Sequence, residues 1–217
     1  MDTILPFLQE LSKHNNREWF EANRTTYNSC KKEFEHIVRT IIEKCIVFDK
    51  QLIGLETKQC IFRINKDVRF SKDKSPYKLN FGASINPGGK KTMIPGYYIH
   101  IEPGKSFLAG GCYQPPSDLL NSIRQEIDYN TSEFKNILNS KKFKNYFNDL
   151  SSEDKLKTAP KGYEKTHPEI SLLQHRHFIV VHEIEDKQII QNDFSEYISS
   201  VFEAIHPLNL FLRRCMI

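Results

Sequence analysis

The 217-residue chain is 39% apolar and 27% charged, and its 31 Lys and Arg against 27 Asp and Glu leave a net charge of +4. That balance excludes a disordered chain and lacks the large one-sided excess of a dedicated nucleic-acid binder. Five scattered cysteines with no C-x-x-C spacing exclude a disulfide framework and a zinc knuckle; reduced thiols in a cytoplasm are the expectation. The MDTILPFLQEL start has no cationic leader, and nowhere do eighteen apolar residues run together, so neither a signal peptide nor a membrane span is expected.

Thr3 to Leu11 predicts a short helix with Leu5, Leu8 and Leu11 on one side. Asn15 followed by Glu18 reads as a capping box opening a long helix from about Asn16 to Phe48. Its stripe is Phe20, Tyr27, Phe34, Ile41 and Phe48, seven residues apart, which suits a helix lying along a sheet or another helix. Cys60 to Ile64 predicts a short strand. Leu79 to Asn86 alternates, with Leu79, Phe81, Ala83 and Ile85 on one face and Asn80, Ser84 and Asn86 on the other. Gly96–Glu102 and Ser106–Tyr113 follow as strands joined by turns, an antiparallel meander. Helical pieces are expected at Ser117–Ile127, Ser132–Leu138 and Lys141–Phe147. His177 to Ile184 carries four successive apolar residues and predicts a strand buried on both faces. A last helix runs from about Asp193, interrupted or kinked at Pro207. The sum is one α+β domain: a largely antiparallel sheet packed with a long N-terminal and a C-terminal helix.

One segment stands apart. Arg63 to Lys78, RINKDVRFSKDKSPYK, holds six cations against Asp67 and Asp73, so its charge of 6 − 2 = +4 equals that of the whole chain. It predicts a long, irregular connection between two strands, and such length invites a functional explanation. Arg offers a planar fork of donors and Lys a mobile point charge, which together suit an anionic group. Asp67 and Asp73 have three readings: they hold neighbouring cations in position, or ligate a metal, or act as a general base. The competing view is a solvated loop whose ions pair among themselves. Neither of the phosphate-binding glycine motifs is present.

NNREWFEANRTTY (Asn15 to Tyr27) and FRINKDVRFSKDKSPYKLNFGASI (Phe62 to Ile85) resemble the two signature segments of domain-of-unknown-function family 2461. GYYIHIEPGKSFLAGGCYQPP, KGYEKTHPEISLLQHRHFIV and FEAIHPLNLFL are similar to its later segments, so the resemblance spans nearly the whole chain. Lys66 departs from the Arg frequent there. The resemblance implies one domain and a cytoplasmic home. It implies no activity, but it marks the basic segment and the Asn-Arg-Glu-Trp-Phe helix as hallmarks.

The expected ligand-binding residues are Arg63, Asp67, Arg69, Lys72, Asp73, Lys74, Tyr77 and Lys78, with Arg17 and Arg24 as a second wall. If the polar strand faces coincide, Arg63, Asn80, Ser84 and His100 line one concave surface beside the loop. Asp73 and His100 are the candidate acid–base groups. His175 and His177 share a face without a third ligand, so no metal and no cofactor is expected. The leading expectation is a small anionic, phosphorylated ligand. Nucleic-acid binding by the same loop, and a scaffold protein with the loop as an internally paired latch, stand as alternatives. Oligomeric state is not readable.

Overall fold

The computed structural model describes residues 3–69 and 72–216. Phe70 and Ser71, inside the basic segment, therefore lie outside the described residues. The elements are α1 (Ile4–Lys13), α2 (Arg17–Ala22), α3 (Arg24–Cys45), α4 (Thr57–Cys60), β1 (Phe81–Ile85), β2 (Gly96–Ile101), β3 (Ser106–Cys112), α5 (Ser117–Tyr129), α6 (Thr131–Asn139), α7 (Lys141–Lys144), α8 (Ile170–Leu173), β4 (Phe178–Ile184), α9 (Asp186–Ile189) and α10 (Phe194–Arg213). The four strands form one antiparallel sheet in the order β1-β2-β3-β4. The α+β expectation holds, with the long helices near both ends of the chain.

The sheet is one-sided. Phe81, Ala83 and Ile85 of β1, Tyr97, Ile99 and Ile101 of β2, and Leu108 and Cys112 of β3 are buried on the helical side. There α10 lies across the strands, contributing Val201, Phe202, Ile205 and Leu208, and α3 adds Phe34, Val38 and Ile41. Phe202 stacks on Tyr97 with ring centroids 4.9 Å apart. Gly110 permits this close approach, since a Cβ there would lie 2.5 Å from Ile205 Cγ2.

A buried polar cluster ties the layers together. Arg213, near the C-terminal end of α10, donates two 2.9 Å hydrogen bonds to the Asp49 carboxylate, which is 1% exposed. The Tyr97 hydroxyl donates to the same carboxylate at 2.9 Å and sits 2.9 Å from His206 Nδ1. Burial opposes ionisation of Asp49, but His206 at 3.6 Å and the hydrogen bonds from Arg213 and Tyr97 outweigh it and hold the carboxyl well below the usual range.

Several local expectations need correction. The first long helix divides at Asn23, whose side chain donates to the Trp19 carbonyl at 2.9 Å and competes with the backbone ladder. Asn16, not Asn15, caps α2 by accepting from the Trp19 N–H. Cys60 to Ile64 is not a strand: Cys60 ends α4, and Ile61 makes only an isolated bridge to Ala83. β4 is not buried on both faces, because Val181 is 41% exposed. Pro207 does not interrupt α10.

Replacing Arg213 by Met strands a buried carboxylate. The expected loss is about 3–5 kcal/mol of unfolding free energy in urea denaturation. Because the folded pKa of Asp49 is depressed, its contribution is present above the unfolded value of 3.8 and fades as the pH falls below it. His175 adds a separate acid-side loss. Burial, then Lys155, pushes its pKa from 6.5 down to about 4, so the folded state holds it neutral. Stability is therefore expected to decline between pH 6.5 and 4, and a His175→Leu variant followed by thermal melts should show a flatter profile there.

Candidate functional site

Opposite the helices the sheet face is open, and it forms the floor of a groove of 1410 Å³. In antiparallel pairing, opposed residues point to the same side. The register therefore lays out rows across the floor: Gly82–His100–Phe107–Glu183, then Ser84–Tyr98–Ala109–Val181. Phe62 extends the first row beyond β1, its N–H donating to the Gly82 carbonyl at 3.0 Å.

The central feature runs along β2. Tyr98, His100 and Glu102 occupy alternate positions on the open face, so their side chains meet. The Tyr98 hydroxyl is 3.3 Å from His100 Nδ1, and His100 Nε2 is 3.0 Å from Glu102 Oε2. The imidazole stacks on Phe107 with centroids 4.6 Å apart and planes 12° from parallel. Burial, then the Glu102 charge, pushes the Tyr98 phenol up to about 12, so it stays a protonated donor. With Nε2–H donating to Glu102, Nδ1 accepts from Tyr98; with both nitrogens protonated, Nδ1 donates to Tyr98 instead. The three side chains thus form a hydrogen-bonded chain that reaches the groove at the phenol.

Gly82 makes room for that opening. A Cβ there would come within 2.8 Å of the Tyr98 hydroxyl and 3.3 Å of Asn80 Nδ2. Lys78, Asn80 and Ser84 line the same side. The Lys78 ammonium lies 5.5 Å above the centre of the Phe62 ring. Burial, then the Arg63 charge, lowers its pKa below that of an ordinary lysine. Among the described residues, no carboxylate lies within ion-pair distance of Lys78 or Arg63.

The basic segment itself is a tied-down loop. Its stem is closed by the Lys66 N–H to the Pro76 carbonyl and the Lys78 N–H to the Ile64 carbonyl, both 2.8 Å. Asn15 clasps Tyr77 with two bonds, Nδ2 to its carbonyl at 2.9 Å and Oδ1 from its N–H at 3.1 Å. The Tyr77 ring is buried and stacks on Phe20 at 3.8 Å. Beyond the stem the charges pair: Lys66 with Asp73 at 2.5 Å and Arg69 with Asp67 through two hydrogen bonds of 3.0 and 2.7 Å. Lys74 Nζ donates to the Val68 carbonyl at 3.0 Å.

The expected residues accordingly separate. Lys78, Asn80, Ser84 and His100 come together in the groove. Arg63 is exposed beside it, acting on Lys78 through charge. Asp67, Arg69, Asp73 and Lys74 sit on the loop's outer part, and Lys72 is exposed there. Asp73 is unsuited to act as a base. Bonds from Lys66 and from the Ser75 N–H and hydroxyl hold its carboxyl well below the usual range. Tyr77 faces the core rather than a ligand. Arg17 is exposed on α2, and Arg24 pairs with Glu21 above the Phe20 ring. Among the described residues no group of three His, Cys, Asp or Glu is placed to hold a metal ion.

Glu102, Phe62, Phe107 and Glu183 were missed from sequence. The period-two spacing Tyr98-x-His100-x-Glu102 was the available signal for the first. The rest are set by cross-strand register, which one strand's pattern does not carry.

The family model described as conserved hypothetical protein (DUF2461) matches residues 3–211. No curated protein and no solved structure matches the chain.

Removing the Asn15 clasp should loosen the loop without touching the groove floor. Asn15→Ala is expected to lower unfolding free energy by about 1–2 kcal/mol. Hydrogen exchange should quicken at the amides of Lys66, Tyr77 and Lys78 before those of β2 and β3.

Proposed function

We propose, for a chain that belongs to the DUF2461 family of conserved hypothetical proteins, that it binds a small anionic, phosphorylated ligand in the open groove. The observation that carries this reading is Lys78, the one cation of the basic segment whose side chain lines the groove. It stands beside Arg63 with no carboxylate among the described residues within ion-pair distance. Two cations held close repel each other, and an arriving anion relieves that repulsion as well as gaining its own contacts. Asn80 adds a neutral donor on the same side, beside the Tyr98 hydroxyl. The loop's role in this reading is indirect: its stem, held by Asn15 and Phe20, fixes where Lys78 enters.

An extended nucleic acid fits less well. Glu183 and Glu185 line the groove on the β4 side. A polyanion laid straight across the sheet would run its phosphates into that acidic wall.

The test is a thermal-shift screen with inorganic phosphate, pyrophosphate and phosphorylated metabolites, followed by calorimetry on the best stabiliser. Lys78→Met is expected to weaken binding about tenfold or more. Arg69→Ala, on the self-paired outer loop, should change it little. Equal binding by wild type and Lys78→Met would overturn the reading. Affinity that climbs with oligonucleotide length would replace it with nucleic-acid binding.

A further inference from the structure

The groove is not uniform. Its β1 side is polar and cationic, with Lys78, Asn80 and the Tyr98 hydroxyl. The opposite corner, where β3 ends and β4 begins, is largely apolar, with the exposed Glu153 at its rim, two residues after Ser151, whose N–H donates to the Ile179 carbonyl. There Val181 and Ile179 rise from β4, Met93 and Ile94 come from the segment leading into β2, and Tyr113 follows β3. Three of these large side chains are conspicuously solvent-facing: Val181 is 41% exposed, Met93 47% and Tyr113 60%. Apolar groups gathered in a concavity, rather than scattered, mark a surface that something covers.

The acidic groups decide what shape that something has. Glu183 lies in the same row as Gly82 and His100, and Glu185 lies beyond it toward the same end. From Lys78, the path straight across the sheet therefore ends on Glu183, since Glu185 is paired with Lys187 at 2.6 Å and Lys105, at the same end, lies 3.8 Å from Glu102. The diagonal path ends on Val181, Ile179 and Tyr113. With strands about 4.8 Å apart, β1 to β4 spans about 14 Å.

Building on the anion reading above, we propose that the ligand is a single-headed amphiphile. Its phosphate or carboxylate head sits at Lys78, Asn80 and Tyr98, and its apolar chain or ring lies along the diagonal to the Val181 corner. Charge complementarity fixes the head at one end, and the carboxylates exclude a second anionic group from the other.

Octyl phosphate, below its micelle threshold, is the probe, measured by calorimetry against inorganic phosphate and against uncharged octyl glucoside. Wild type should bind octyl phosphate at least about tenfold more tightly than phosphate, since each buried methylene adds to affinity. Val181→Asp should bring octyl phosphate down to the level of phosphate while leaving phosphate binding as it was. Val181 is exposed, so the variant should fold, and an unchanged melting temperature checks this; Met93→Asp is the second variant should it not. Lys78→Met should weaken both ligands. Equal affinity for octyl phosphate and phosphate would overturn the amphiphile while sparing the anion site. Octyl glucoside binding as tightly as octyl phosphate, indifferent to Lys78→Met, would overturn the anion site along with it. Binding of neither phosphate nor octyl phosphate would overturn both.

Discussion

The alternation of β2 is the constraint on which the site rests. Tyr97, Ile99 and Ile101 go under the sheet, where Tyr97 joins the Asp49–Arg213 cluster and Phe202. Tyr98 and His100 are thereby forced to the open face. A one-residue slip would put a histidine and a tyrosine into the helical layer and three large apolar groups into the groove. Core packing and the buried ion pair therefore choose the register, and the register aligns Tyr98, His100 and Glu102. The polar chain is positioned by forces acting on the other side of the sheet.

The concentration of positive charge in Arg63–Lys78 has a similar explanation in two parts. In the outer part Asp67 holds Arg69 and Asp73 holds Lys66, while Lys72 and Lys74 keep their charge, the latter against a backbone carbonyl. Exposed pairs of this kind add little stability each; here the Lys66–Asp73 pair and the Lys74 bond to Val68 join the two limbs of the outer loop. The stem is held differently, by Asn15 on the Tyr77 backbone and by Phe20 on the Tyr77 ring. This is why the two hallmark stretches belong together, since α2 is the clamp for the loop. Of the four cations left over, Arg63 and Lys78 are at the stem, where the loop meets the groove, and Lys72 and Lys74 are on the outer part.

How much of this was legible in the sequence depended on how local its cause was. The strand cores and the polar face of Asn80, Ser84 and His100 follow from a period of two, and they emerged as expected. The break at Asn23 was hidden because the seven-residue stripe of Phe20, Tyr27 and Phe34 runs on past it, while its cause is a side chain that turns back on its own helix. Tyr77 looked like a ligand donor because nothing in RINKDVRFSKDKSPYK says that Phe20, 57 positions earlier, stacks on it. The four apolar residues of β4 suggested burial on both faces. They serve two surfaces instead, the core and the groove wall, and sequence cannot tell an apolar wall from a core. The loop cations were read as converging because their partners, Asp67 and Asp73, are also what a site would use to aim them.

Glu102 completes what the register begins. A carboxylate only accepts, so it takes the Nε2 hydrogen of His100 and leaves Nδ1 to accept from Tyr98. Phe107, stacked 12° from parallel with ring centroids 4.6 Å apart, holds the imidazole in the plane in which both contacts are made. The strand pairing that puts Phe107 opposite His100 is the same pairing that the core fixes from beneath. The tautomer, ring plane and position of the histidine on the open face of β2 therefore share a cause, the alternation of buried and open residues along the strand.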